Sequence, residues 1–383
     1  MRSRSLVSLL LILAAGACLD RIDIDIGENV ALNTVVINGH ITNDPGPYRV
    51  NINIAFDLES KEGYRNPLSA KRVTMSDNTG ATEQLTEVSK GVYETATNGI
   101  RGKVGRIYSL RVELADGRVF ESKPDTLMAP GRIDSVYAVW VKSTTPLEVT
   151  TYGFDIMFNP SVTTEGSYHI LWKFTGTFQA NTNPEGGIHE PCGEITCAGC
   201  NMCNFKPLCS GIRNMSSSPG IDRAIFVRVA PCECCTCWYK FFNPEPLISD
   251  DQLVKHGKFS TQKAGYIPLD PWIFQHKVHA NVSQFSLSRQ AFNFWRGVKD
   301  QKTAINSLFQ PVTGKIKGNW VQVGGPEGGV EGLFFAAGVA NKAIFIERTD
   351  VPGGVIIPDA LPFPDSCLKL FPYATTKKPN FWD

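Results

Sequence analysis

Between residues 33 and 128, short β-rich runs are broken at regular intervals by residues that turn the chain, and this pattern limits the fold more tightly than any other. The runs are Thr34–Ile41, Tyr48–Ile54, Lys71–Ser76, Gly91–Thr95, Arg106–Leu114 and Val119–Ser122. Between them stand Asn43-Asp44-Pro45-Gly46-Pro47, Asp77-Asn78-Thr79-Gly80 and Asp116-Gly117. Glycine supplies positive φ and Asn or Asp tolerates it, so these are turns with a mechanism. Short strands at this spacing predict a small antiparallel β-sandwich of immunoglobulin or transthyretin type.

Pro124–Gly131, rich in Pro and Gly, marks a boundary before a larger β-rich domain over 129–383. Its expected strands are Ile133–Val141, Tyr152–Phe158, Tyr168–Phe178, Ala224–Val229, Val278–Leu287, Ile316–Val323, Leu333–Gly338 and Ala343–Glu347, with a cysteine-rich insertion at 179–222. One helix interrupts them. Ser288 is its expected N-cap, and Ala291, Phe292, Trp295 and Val298 lie three or four apart on one face that packs on a sheet. The segment beyond Ala360, rich in Pro and aromatics, is expected on the surface of the larger domain.

At the front, Arg2 and Arg4 precede the apolar run Leu6–Ala17, too short to span a bilayer, and so a secretory signal over residues 1–17. Small residues Ala15-Gly16-Ala17 before Cys18 are what a lipoprotein-processing peptidase needs, although Ala15 stands where leucine is usual. Cys18 is therefore expected to carry a lipid, with residues 18–32 as a tether whose Asp20, Asp23 and Asp25 favour surface exposure over a periplasmic face. Ordinary secretion is the alternative. With 38 basic against 37 acidic side chains no global field draws the chain to nucleic acid.

Of the 11 cysteines, ten remain after Cys18. Cys192, Cys197, Cys200, Cys203 and Cys209 lie in or beside the insertion, Cys232, Cys234, Cys235 and Cys237 in an expected strand, and Cys367 near the end. In an oxidising compartment such thiols cross-link a loop that lacks its own core. If the strand is regular, Cys232 and Cys234 face one side and Cys235 and Cys237 the other. The adjacent Cys234 and Cys235 should then seek separate partners, one in the insertion and one being Cys367. Zinc on four clustered cysteines, or a redox-active Cys-x-x-Cys, is the competing reading, since Cys197-Ala-Gly-Cys200-Asn-Met-Cys203 has ligand spacing.

No His-Glu-x-x-His, Gly-x-Ser-x-Gly, P-loop or Rossmann fingerprint occurs, so no catalytic residue, cofactor or metal ligand is assigned. The glycine-rich stretch 324–332 reads as a loop between strands, and His276 and His279 as structural. Asp125-Thr126-Leu127 and Asp134-Ser135-Val136 resemble glycosylation triplets of exported proteins, at an accessible boundary.

Cys234-Cys235-Thr236-Cys237-Trp238 carries a resemblance, joined by Val35–Asn43 with Pro45-Gly46-Pro47, Gly102–Tyr108, the helix around Phe294-Trp295, and Gly318-Asn319-Trp320. In these segments the chain resembles the Bacteroidetes lipoproteins grouped as domain of unknown function 4249. Val339–Ile346 reads as the family's hairpin. The resemblance implies an outer-membrane lipoprotein working beside TonB-dependent transporters, and it supplies no reaction. The expected function is thus a noncatalytic, lipid-anchored accessory of nutrient uptake that docks on a transporter or binds a peptide or glycan. A surface hydrolase, or a zinc or redox protein, is the alternative.

Overall fold

The computed structural model describes residues 34–55, 66–144, 150–161, 168–183, 210–214, 226–243, 245–249, 259–305, 316–363 and 365–382. Cys18, the signal and tether, and Cys192, Cys197, Cys200, Cys203 and Cys209 lie outside these residues.

The chain is mainly β. Strands β1 (Val35–Thr42), β2 (Arg49–Ile54), β3 (Ala70–Asp77), β4 (Thr82–Gln84), β5 (Thr86–Ser89), β6 (Val92–Glu94), β7 (Ile107–Leu114), β8 (Val119–Ser122) and β9 (Asp125–Thr126) come first. Then follow β10 (Arg132–Thr144), β11 (Thr150–Ser161), β12 (Ile170–Asn181), β13 (Ile212–Asn214) and β14 (Phe226–Arg228). Next come β15 (Thr236–Phe242), β16 (Leu247–Ile248), β17 (Gln262–Pro268) and β18 (Lys277–Ser286). After the helix Arg289–Ile305 come β19 (Trp320–Gly324), β20 (Val330–Glu331) and β21 (Phe334–Glu347), then a short helix, Cys367–Leu370. No helix among the described residues is long and apolar enough to cross a membrane.

One sheet runs through the whole structure in the order β15-β12-β18-β21-β1-β2-β6-β5, with β16 beside β12 and β20 beside β1. Two smaller sheets pack on one of its faces. The sheet β19-β8-β7-β3-β4, with β9 beside β7, closes a first sandwich over its β1 end, and β10-β11-β17 closes a second over its β12 end. Strict alternation explains why the strands form: in β7, Tyr108, Leu110, Val112 and Leu114 are all buried while the residues between them are not. Each such side chain contributes roughly 1.5–3 kcal/mol on burial.

β21 joins the two sandwiches. Its first residues pair parallel with β1, Gly39 opposite Phe334 through Thr42 opposite Ala337, and from Gly338 to Glu347 it pairs antiparallel with β18. Phe334 and Ala336 enter the first core and Ile346 the second, so both cores lie on the same face by parity. The hairpin expected at Val339–Ile346 is therefore corrected to the middle of one 14-residue strand. Val339-Ala340-Asn341-Lys342 holds no residue that forces a turn, and Asn341 sits in register with Ser283.

The first sandwich also draws on more of the chain than the segment ending near residue 128, because β19, β20 and β21 complete it. Asparagines lock these returning strands. Asn319 Nδ2 donates to the Phe334 carbonyl at 2.6 Å while its Oδ1 accepts from the Phe334 N–H at 3.0 Å. Asn43 does the same for Val339, and Trp320 Nε1 donates to the Ile37 carbonyl at 3.0 Å. Asn319→Ala leaves two buried backbone groups of Phe334 unpaired, and we expect a loss of about 2–4 kcal/mol, read by urea unfolding.

Pro124–Gly131 is packed rather than free. Asp125 and Leu127 are buried, and Gly131 donates to Ser286 Oγ at 3.1 Å. In the Asp125-Thr126-Leu127 triplet, expected to be accessible, Asp125 and Thr126 form β9, with Thr126 half-buried opposite Ile107, and Leu127 is buried. In the second triplet Ser135 Oγ accepts from Asn159 Nδ2 at 2.7 Å.

The helix starts as expected, with Ser288 Oγ accepting from the Ala291 N–H at 3.2 Å. Ala291 and Phe292 pack on Leu171, Phe285 and Val339, on the face of the long sheet opposite both cores.

Candidate functional site

That opposite face is covered at two places and open between them. The helix covers one end. At the other, Phe381 stacks on His279 with centroids 4.0 Å apart, Trp382 meets Phe345 edge-on at 5.7 Å, and Trp382 Nε1 donates to Gln179 Oε1 at 3.0 Å. The register places Phe242, Thr175, Asn281 and Ala343 in a row between these covers, with Lys173 and Ser283 on the helix side.

At the helix side the gap deepens into a cavity of about 210 Å³, lined by Leu171, Trp172, Lys173, Phe174, Phe242, Asn243, Glu245, Pro246, Ala264, Trp295, Val298 and Lys302. Lys173 Nζ lies 4.9 Å over the Phe285 ring and 5.3 Å over Trp295. It meets no carboxylate among the described residues, and burial lowers its proton affinity. The Trp295 indole N–H is buried without an acceptor. Phe242, by contrast, is 64% exposed at the rim.

Beneath the helix, His40 stacks on Phe335 at 5.3 Å and meets Phe285 edge-on at 6.3 Å. Part of the imidazole stays accessible, but its deep seat governs ionisation: burial first, then the Lys173 charge, lowers its pKa to about 4. The folded protein thus binds the proton more weakly than the unfolded chain, whose His titrates near 6.5. This contribution to stability is fully present above pH 6.5 and falls by up to about 3 kcal/mol as pH drops towards 4. His40→Phe should flatten that slope, measured by urea unfolding between pH 4 and 7.

Each buried carboxylate has its own structural work. Burial raises the Asp77 pKa, but hydrogen bonds from Thr79, Arg106 and Ala81 outweigh it and bring it down to about 2. Asp125 is shifted upward by burial and accepts from the Ala336 N–H at 2.9 Å. Asp365 pairs with Lys369 at 2.5 Å.

Every cysteine among the described residues is disulfide-bonded. Cys237 bridges Cys367 with Cα atoms 6.0 Å apart, Cys232 bridges Cys235 at 5.4 Å, and Cys234 is also disulfide-bonded. The expectation that Cys234 or Cys235 pairs with Cys367 is corrected for a local reason. Residues 233–235 form a turn, and β15 begins only at Thr236, so alternation does not reach back to Cys232. The turn brings Cys232 and Cys235 together, while Cys237 lies in the strand and in the second core. No group of metal-ligating side chains occurs among the described residues. His276 shares a 2.6 Å hydrogen bond with Asn181 Nδ2, and the 324–332 stretch lies between β19 and β21 and contains β20.

Other motifs are architectural too. Tyr108 Oη accepts from the Lys103 N–H at 2.8 Å and donates to the Arg101 carbonyl at 3.1 Å, closing the Gly102–Tyr108 loop. A Cβ on Gly102 would meet the Thr42 carbonyl at 2.1 Å. Sequence reasoning missed Lys173 and Glu245; a lysine in an otherwise apolar strand run was the only signal for the first.

A family model described as Domain of unknown function (DUF4249) matches residues 20–343. No curated protein matches the sequence.

Proposed function

We propose, from the premise that this chain belongs to the DUF4249 family, that it is a noncatalytic lipoprotein of a Bacteroidetes outer membrane, an accessory of TonB-dependent nutrient uptake that binds a ligand on its open sheet face. The observation that carries the reading is the gap between helix and C-terminal segment, where a cavity joins Lys173 to aromatic side chains. Concave, mostly apolar sites with a few convergent polar groups are what ligand recognition uses. Disulfides at Cys237–Cys367 and Cys232–Cys235 suit an oxidising compartment. The signal before Cys18 supplies the address, with the lipid on that cysteine and the folded part facing outward.

Native protein purified from its own outer membranes should carry a lipid that Cys18→Ser removes, and should bring down a TonB-dependent transporter. Recovery of no transporter, together with no binding to peptides or glycans, would sink the proposal.

A further inference from the structure

We infer that Lys173 captures an aldehyde carried on a small apolar or aromatic body, holding it in the adjoining cavity as an imine on Nζ. This rests on the reading of the open sheet face as a binding surface.

Lys173 is a half-buried amine without a counter-ion. On one edge of β12, β16 pairs at Leu171 and Trp172 and β15 from Thr175 onward, which leaves Lys173 and Phe174 between them, beside Asn243, Glu245 and Pro246. The cavity of about 210 Å³ lies there. Nζ rests 4.9 Å over Phe285 and 5.3 Å over Trp295, contacts that offset only part of what an ammonium loses on leaving water. Lys263 and Lys369, by contrast, reach Asp155 at 2.6 Å and Asp365 at 2.5 Å. Burial lowers the proton affinity of Lys173, and a desolvated neutral amine is the nucleophile that carbonyl compounds take.

Charge decides the kind of ligand. Lys302, the other lysine of the lining, already has a partner, so Lys173 stands against Glu245 and no positive charge is left over for an anion. His40, with its pKa lowered to about 4, is neutral at pH 7. What relieves the site is a neutral ligand that removes the ammonium charge. An aldehyde does so: neutral Nζ attacks the carbonyl carbon, a C–N bond forms, and the carbonyl oxygen leaves as water with both Nζ protons. No oxidant or reductant is consumed. The imine nitrogen is uncharged, and Glu245 is exposed, so solvent carries its charge. Size sets the body, since an apolar cavity of about 150 Å³ holds benzene. This one takes a ring bearing the aldehyde, with Trp172, Phe174, Val298 and Phe242 as apolar contacts.

The test incubates the full mature chain with limiting benzaldehyde and sodium cyanoborohydride at pH 7, and reads the benzylated lysines by peptide mass spectrometry. Lys173 should be labelled at least tenfold faster than any other lysine. That preference should vanish in concentrated urea and shrink severalfold with acetaldehyde, which has no apolar body. Val298→Trp, which fills the cavity, should slow Lys173 severalfold and leave the other lysines unchanged. The first readout is on the unaltered protein, so it stands whether or not the variant folds. Equal labelling of all lysines, an unlabelled Lys173, a preference that survives urea, or one equally large with acetaldehyde would overturn the inference. Recovery of a transporter alongside any of these would leave the docking reading standing and remove only the ligand class.

Discussion

Replacing Cys237 and Cys367 together with alanine is expected to cost about 5 kcal/mol of stability, against about 2 kcal/mol for the Cys232 and Cys235 pair, because the first bridge closes a far longer loop in the unfolded chain. The sequence separations are 130 and 3. The longer bridge also seats the C-terminal segment. Phe371 packs against Phe178, Tyr239 and Trp272, and the backbones of Trp238 and Thr375 exchange hydrogen bonds at 2.8 and 3.0 Å. Urea unfolding of both double variants measures the difference. Equal losses would show that loop length does not govern these bridges.

Phe334→Ala should cost about 3–5 kcal/mol, as large aromatic truncations in closed cores do. Phe334 is fully buried in the first core, yet it begins the strand that also borders β18. Loss of order should therefore reach the second sandwich. Amide exchange read in β7 and β12 should accelerate in both, within a single unfolding transition. Unchanged protection in β12 would mean that the two sandwiches melt independently.

Much of this fold is legible in the residues. Alternation places β7, β8, β12 and β18 to within three residues, and Ser288 marks the helix start. β17 escapes because Gly265 interrupts its pattern, and the glycine is there because a Cβ would meet Phe174 Cδ1 at 2.4 Å. The continuity of β21 escapes because propensity does not say which neighbour a strand will find. Its central residues gain order from β18 on one side and from Asn43 and Asp44 on the other.

The cysteine types indicated cross-linking, but the pairing turned on where β15 begins, a boundary of one residue. The cavity was illegible for another reason. Lys173, Glu245 and Trp295 are far apart in sequence and meet only because the helix folds back over β12. The segments that carried the family resemblance proved to be joints of the framework, such as Asn319 on Phe334 and Tyr108 over its loop.

The strand shared by the two sandwiches also sets an order of events in time. β1 lies near the start of the chain, and its second neighbour, β21, contributes residues reached across a separation of 296, as the Asn43 to Val339 bond shows. A chain that emerges N-terminus first must hold one edge of β1 unpaired until almost everything else has been delivered. Such late, non-local pairing is slow to form, and a waiting edge invites pairing with other chains. The first sandwich in particular waits for β21, among the last strands in the chain, before its core can close.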